Sequence, residues 1–344
     1  MQSLTATLAG RRLQARQALV RPGPRRQQYI GLRCPECNTY LATMAYHAMG
    51  QTQEPIACRR CFAVMTQERG VWLALAKSRE NHFGEFIRNY EAVRKAEGRG
   101  SENPEFYLSL PYRDRTERNS WQWSIRARTY KYIQRKILPE IKRHSSQALS
   151  LLDLGAGNGW LSYRLASLGH RPIAVDLQTN AFDGLGAAVH YRHALPMLFP
   201  CFRAELDRLP FASRQFDCAI FSASFHYSEN YDSTLAEALR CVRVGGTVVI
   251  ADTPLYTRDE YGQQMLSERR KLFQQQFGLS SVSLASREYL TPESLAALET
   301  HHDLRWKTHD VWYGLRWACR PLVASLRKRR EPSKFRIYAA QVRS

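Results

Sequence analysis

The stretch LLDLGAGNGW, residues 151–160, decides the fold. An apolar run from residue 148 reaches Asp153 and Leu154, and glycines follow at alternate positions: Gly155, Gly157 and Gly159. Leu161, Leu165 and Leu168 then fall on one helical face. This is the pattern of a buried strand, a tight turn and an amphipathic helix. Such a turn brings backbone N–H groups and a helix N-terminus against a ligand. Glycine there lets a ligand approach the backbone without meeting a side chain.

Dinucleotide sites share a glycine turn, but in the form Gly-x-Gly-x-x-Gly. Here the order is Asp-x-Gly-x-Gly-x-Gly, and an acid just before the turn suits a ligand with a positively charged amino group. At this point the chain resembles the class I S-adenosylmethionine-dependent methyltransferases, in particular the type 11 group that resembles menaquinone and ubiquinone C-methyltransferases. The resemblance spans residues 148–253. It implies an α/β, Rossmann-like sheet with helices on both faces, S-adenosyl-L-methionine as cofactor, and a methyltransferase activity. Asp153 would contact the cofactor amino group indirectly or by ordering the loop, over a bed of Gly155, Gly157 and Gly159.

Three further landmarks follow in order. The strand expected over residues 171–176 ends in Asp176, about twenty residues beyond the loop, where a carboxylate can accept hydrogen bonds from ribose hydroxyls. The segment from Glu205 to Phe211, with Leu209-Pro-Phe211 and then Phe216-Asp217, resembles the family's adenine-reading segment. The family's acid falls on Glu205, with Leu206 supplying the neighbouring amide. The family usually has Asp there, so Glu205 is a departure. Gly245-Gly246 matches the turn into the fifth strand.

A strand expected over residues 217–221 leads into Ser222, which joins the cofactor set, and to His226. Family members often carry a His near this point, and its ordinary pKa suits a general base; the plainer reading is packing. Transfer to a good nucleophile can proceed by positioning alone. The chain lacks the Asn/Asp-Pro-Pro-aromatic motif of amine methylation, and Cys218 and Cys241 fall within expected core elements, which argues against a cysteine nucleophile of the cytosine-C5 kind.

Of eight cysteines, four are paired by spacing: Cys34-x-x-Cys37 and, twenty residues on, Cys58-x-x-Cys61. Two such knuckles suit a structural four-thiolate Zn2+ site. A closed four-sulfur shell leaves no open position for catalysis and no need of His47. The segment after the second knuckle resembles the small zinc-ribbon proteins that activate methyltransferases, which implies a possible protein contact through the ribbon. Cys201, Cys218, Cys241 and Cys319 lie in or near apolar segments and read as reduced core thiols.

The expected organisation is a basic arm (1–30), a zinc ribbon (31–76), a helical linker or lid (77–145) and a methyltransferase domain (146–344) with a helical insert (254–285). The arm holds a possible helix at 4–19. Helices are expected over 83–97 and from 121 to Pro139. Their aromatics read first as packing, although Tyr107, Tyr112, Trp121 and Trp123 could line a pocket. A helix over 232–243, one capped by Thr291, and edge strands over 304–308 and 335–342 complete the domain.

Net charge is +19. Residues 1–33 hold seven arginines and no acid, and residues 301–344 hold eleven Lys/Arg against three acids. The densest run is Arg327-Lys-Arg-Arg330. Such ends suit nucleic acid or an anionic surface, or stay solvated. The acid-free start resembles an organelle transit peptide and equally a basic arm. No apolar run is long enough to cross a membrane, and a cytoplasmic location is expected. The methyl acceptor is unknown. A small molecule (lipid, quinone-like or secondary metabolite), RNA bound through the basic termini, and a non-catalytic scaffold are the readings left open.

Overall fold

The computed structural model describes residues 28–50, 54–143, 148–278 and 284–343. The expected helix at 4–19 and nearly all of the basic arm lie outside them.

The cysteine ribbon comes first. β1 (Tyr29–Arg33) and β2 (Tyr40–Ala45) pair antiparallel around the first Cys pair. β3 (Ile56–Ala57) and β4 (Val64–Glu68) do the same around the second. The two knuckles close alike: Asn38 N–H donates to Cys34 O and Phe62 N–H to Cys58 O, both at 2.9 Å. β5 (Val71–Leu73) then pairs antiparallel with β4 and parallel with a strand of the main sheet.

The linker helices are α1 (Lys77–Ala96), α2 (Pro104–Ser109), α3 (Ser120–Tyr132) and α4 (Leu138–Lys142). α1 starts six residues before the expected 83, because its first turn is polar and carries no apolar signal; Lys77 N–H is met by Glu36 Oε1 at 2.5 Å. The helix expected to stop near Pro139 continues to Lys142. A π-turn at Ile133–Ile137, in which Leu138 N–H reaches Ile133 O, absorbs the register change, and Pro139 then sits in the first turn of α4, where its missing N–H is tolerated.

The catalytic-type sheet follows: β6 (Ser150–Leu154), α5 (Trp160–Ser167), β7 (Arg171–Asp176), β8 (Cys201–Arg203), β9 (Phe216–Ser222), α6 (Tyr231–Cys241) and β10 (Val242–Ala251). α6 ends two residues short of the expected 243. Val242 is fully buried and pairs with Phe216, so the sheet claims it, and a bulge containing Gly245 at φ +77° bridges to Thr247. α7 (Asp259–Phe277), α8 (Pro292–His301), β11 (Lys307–His309), α9 (Leu315–Ala318), α10 (Arg320–Leu326) and β12 (Ile337–Gln341) close the chain. Thr291 and Ser294 form a reciprocal cap on α8. β11 is shorter and later than expected, because Leu304 is drawn into the core and its N–H ends α8 on Glu299 O.

The strand order is β11-β12-β10-β9-β6-β7-β8-β5-β4-β3. β10, β9, β6, β7 and β8 are parallel, and β12 runs antiparallel to both neighbours. This is the Rossmann-like α/β sheet with helices on both faces. Period-two alternation sorts its side chains. Leu152, Leu154, Ala219, Phe221, Val248 and Ile250 enter one apolar layer, while Leu151, Cys218, Ile220 and Val249 enter the other. The first layer also takes Ile30, Leu32, Met65 and Trp72 from the ribbon, so the ribbon shares a core with the sheet. Cys201, Cys218 and Cys241 are buried thiols, but Cys319 is exposed, because the short helix that holds it lies over the surface. No described helix is long and apolar enough to cross a membrane.

Candidate active site

The glycine loop joins β6 to α5 at the place where the strand order reverses, with β7 on one side of β6 and β9 on the other. Open parallel sheets leave a crevice at the carboxyl ends of their strands at such a point. Gly155, Gly157 and Gly159 have φ of +74°, +55° and +74°, the left-handed region that favours glycine. Their spatial roles differ. A Cβ on Gly155 would lie 2.2 Å from Ser224 Cβ, and one on Gly159 3.0 Å from the Phe199 ring. Those two glycines let the loop pack against the protein. Only at Gly157 is the nearest atom an ordinary neighbour, Asp183 O at 3.4 Å. The ligand-approach role expected of all three therefore narrows to Gly157.

Carboxylates hold this loop. Gly157 N–H donates to Asp176 Oδ2 at 2.8 Å, and Gln178 N–H donates to Asp176 Oδ1 at 2.8 Å. Asp153 accepts from Ser162 N–H at 3.0 Å and from Ser162 Oγ at 2.8 Å, tying the strand to the first turns of α5. Asp153 is buried, and burial pushes its carboxyl up to about 7, with the Ser162 hydrogen bonds opposing. Burial raises Asp176 as well, against the pull of the backbone N–H donors.

Asp153, Gly155, Gly157, Asp176, Leu206 and Ser222 line one cavity. Gly159 lies behind the loop. Glu205 is outside the lining: its Oε2 accepts from Arg79 Nε at 2.8 Å, so the carboxylate that should face an adenine ring is tied to α1. His226 belongs to a second cavity. It is buried and its Nδ1 has no partner; burial, then Arg269 and Arg126, pull its imidazole down to about 3. It is a neutral ring at any physiological pH and a weak proton acceptor in this state.

Sequence reading expected a linker or lid over 77–145 but not the residues that form the roof. Phe86, Tyr90 and Arg94, four residues apart on α1, form a stripe over the first cavity, where the aromatics of that helix were expected to pack. The period was legible, but a stripe facing a cavity and a stripe facing core read the same. Arg94 Nε is ion-paired with Asp183 Oδ2, and Asn158 Nδ2 donates to Asp183 Oδ1 at 3.2 Å. Burial would lower the Arg94 guanidinium, but Asp183 outweighs it and the net direction is up. This triad clips the roof to the glycine loop, and no local spacing announces it.

The second cavity, about 420 Å³, shares Tyr90, Arg94, Arg126, Ala223 and Tyr227 with the first. Tyr90 and Tyr227 meet edge to face with ring centroids 5.6 Å apart. Beyond them the wall is aromatic: Trp121, Phe273, Trp317 and Phe335. Trp123 lines the first cavity. Tyr107 and Tyr112 line neither: Tyr107 is wholly buried with its hydroxyl 2.8 Å from both Ser101 O and Phe182 O, either of which can take its proton, and Tyr112 lies half-exposed under Arg164.

On the opposite flank, the Sγ atoms of Cys34, Cys37, Cys58 and Cys61 all lie within 4.8 Å of one another. Cys34–Cys61 and Cys37–Cys58 are 3.5 and 3.6 Å apart. Four thiolates about 2.3 Å from a tetrahedral Zn2+ are separated by about 3.8 Å, so the cluster is compatible with a zinc ribbon. His47 is exposed and outside the cluster.

The fold and the crevice are those of a ligand site at the switch point of a parallel α/β sheet. Residues 152–250 match the protein family described as a methyltransferase domain. Over 106 residues the chain is 26% identical to malonyl-[acyl-carrier protein] O-methyltransferase of Buchnera aphidicola subsp. Baizongia pistaciae, covering 30% of this chain and 39% of that protein. Over 123 residues it is 28% identical to the enzyme of the same name from Erwinia pyrifoliae, covering 35% and 44%. The matched segment thus spans less than half the length of these relatives. Among solved structures, magnesium protoporphyrin IX methyltransferase (ChlM) from Synechocystis PCC 6803 with bound SAH is similar at 15% identity and a TM-score of 0.45, covering 78% of this chain and all of that one.

Proposed function

We propose that the chain is an S-adenosylmethionine-dependent methyltransferase acting on a small-molecule acceptor. The observation that carries this reading is the pair of adjoining cavities. The first lies along the glycine loop and the strand ends, and the second opens from it past Tyr90 and Tyr227. The residues of the first cavity fit the cofactor: two carboxylates for a charged amino group and a diol, an open space at Gly157, and apolar Leu206 and Phe86 for a flat ring. Bound there, the cofactor would supply an electrophilic methyl group.

The chain's own part is positioning. Asp153 would order the loop, Asp176 would exchange its hold on Gly157 for ribose hydroxyls, and the Leu206 backbone would meet the adenine edge. Glu205 would act through Arg79, fixing the start of α1. α1 and Trp123 would exclude water from the transfer. His226 lies in the acceptor cavity, and its depressed basicity favours an acceptor that is already a good nucleophile.

The four cysteines would hold a structural zinc ion. Binding in such sites is worth on the order of 10 kcal/mol, comparable with the ~5–15 kcal/mol stability of a whole domain. Because Ile30, Leu32 and Trp72 belong to the sheet's core, stripping the metal with a chelator should lower the melting temperature of the whole protein. Metal analysis finding no bound zinc, or a melting curve unmoved by chelation, would count against the site.

RNA is the second reading, supported by Arg327, Lys328 and Arg329, which are exposed and make no ion pair among the described residues. Transfer of labelled methyl groups from S-adenosylmethionine into fractionated extracts separates the two. Label in the small-molecule or lipid fraction is expected; label in RNA alone would replace the first reading with the second, and binding of RNA should then weaken steeply with salt.

A further inference from the structure

The second cavity is unusual in its unpaired charge. Five arginines line it: Arg94, Arg99, Arg126, Arg269 and Arg320. Three are answered by carboxylates, Arg94 by Asp183, Arg99 by Glu97 and Arg269 by Glu288. Arg126 and Arg320 have no carboxylate partner among the described residues. Arg126 lies half-buried with its guanidinium 4.8 Å from the centre of the Trp123 ring and accepts no help from any hydrogen-bond acceptor among the described residues. Arg320 stacks on Trp317 and donates one N–H to Ser333 O at 2.6 Å, leaving buried Nε without an acceptor.

The remaining acid in the wall, Asp252, attracts Arg126 but makes no ion pair with it or with Arg320 among the described residues. Asp252 is buried and accepts from Thr129 Oγ1 at 2.5 Å; burial raises its carboxyl, opposed by that hydrogen bond and by Arg126. Burial also depresses both guanidinium groups, to about 10 each; for Arg126 the neighbouring Arg99 and Arg94 add to the effect, and Asp252 and Asp183 only partly offset it. Among the described residues, eight buried side-chain polar atoms lack a hydrogen-bond partner. Four of them, on Arg99, His226, Asp252 and Arg320, belong to residues lining this one cavity. Orphaned polar atoms are costly to bury, so a cluster of them in one wall calls for a partner.

We infer that the acceptor is an anion with an apolar or aromatic body, its carboxylate or phosphate group held by Arg126 with Arg320 as the second cation of the wall. Planar guanidinium groups suit both oxyanions through paired N–H donors. The body would lie against Trp121, Phe273 and Phe335. Arg126 borders both cavities, so an anion held there lies beside the place where the methyl group would be presented. The inference rests on the small-molecule reading of the second cavity.

The test is calorimetric titration of the full-length protein, without cofactor, with 2-naphthoate, 2-naphthyl phosphate and neutral 2-naphthamide. At least one anion should bind about tenfold more tightly than the amide, and the tighter of the two identifies the oxyanion. Arg126→Gln should abolish that preference, Arg126→Lys should keep part of it, and Arg320→Gln should reduce it. Added sodium chloride should weaken the anions and not the amide, a readout that needs no variant. Equal affinities for anion and amide, no binding of any probe, or a preference that survives both Gln variants would overturn the inference. A separate titration with S-adenosylhomocysteine tests the donor cavity, so failure of one reading is distinguishable from failure of the other.

Discussion

The two cavities share a wall and differ in how they are built. Beneath its α1 roof, the first has a floor made from backbone: a loop between adjacent elements, latched by the side chains of Asp153 and Asp176. The second is made from side chains that reach it from residues as far apart as Tyr90 and Phe335. The floor of the first cavity is therefore held by its covalent neighbours, whereas the second cavity exists only where linker, insert and C-terminal helices converge. A family can keep the first and vary the second, because changing a wall residue of the second leaves the glycine turn intact.

That contrast can be broken experimentally. The largest effect is expected at Gly155. Valine there would face Ser224 at an impossible distance and a positive φ that costs about 1–2 kcal/mol by itself; overpacking adds about 1–3 kcal/mol. The melting temperature should fall steeply and both cavities should be lost together. Gly157→Leu should do something different. Its Cβ has room, so the protein should stay folded at a modest cost in stability, while S-adenosylhomocysteine affinity measured by calorimetry falls by about a hundredfold or more. Binding of the naphthyl anions should survive; their loss would mean that the cavities are not separable.

Trp121→Ala should act on the other side, raising the acceptor KM by about tenfold through lost aromatic contact, with cofactor affinity unchanged, because Trp121 lines the second cavity alone. The smallest effect concerns pH. Asp153 in the free protein is protonated below about 7. A cofactor amino cation near it favours the charged form, so binding below pH 7 releases a proton and affinity rises with pH up to about 7, then levels. Asp153→Asn should flatten that rise. A wild-type profile that is flat between pH 5.5 and pH 7 would remove Asp153 from cofactor recognition.

The same contrast explains what could be read from the chain. Asp153, Gly157, Asp176 and Leu206 were legible because the parts of the first cavity recur at fixed offsets from strand ends. The cysteine quartet was legible for the same reason, since each knuckle is a local turn. Arg94, Asp183 and Arg126 were not, because their positions depend on how α1 and α3 dock, and a docking angle leaves no trace in spacing. Glu205 illustrates the boundary. Its place after β8 was found by counting from Leu209-Pro-Phe211, but its carboxylate was claimed by Arg79, a residue from the linker. Pro139 and Val242 misled for a different reason. Local propensity argued for a helix stop and a helix continuation, and the π-turn and the sheet overruled each.

The seam between β5 and β8 also sets an order of assembly. During synthesis the ribbon leaves the ribosome well before Cys201–Arg203 exist, so β5 waits with one edge unpaired while the linker and half the sheet emerge. An open edge of that kind invites pairing with other chains. Three residues make a short target, and β4 and β3 already occupy the other side. When β8 arrives it finds a template in place. The N-terminal ribbon thus supplies the edge on which β8 pairs, and a chain deprived of it would present β8 as a bare edge with Phe202 behind it.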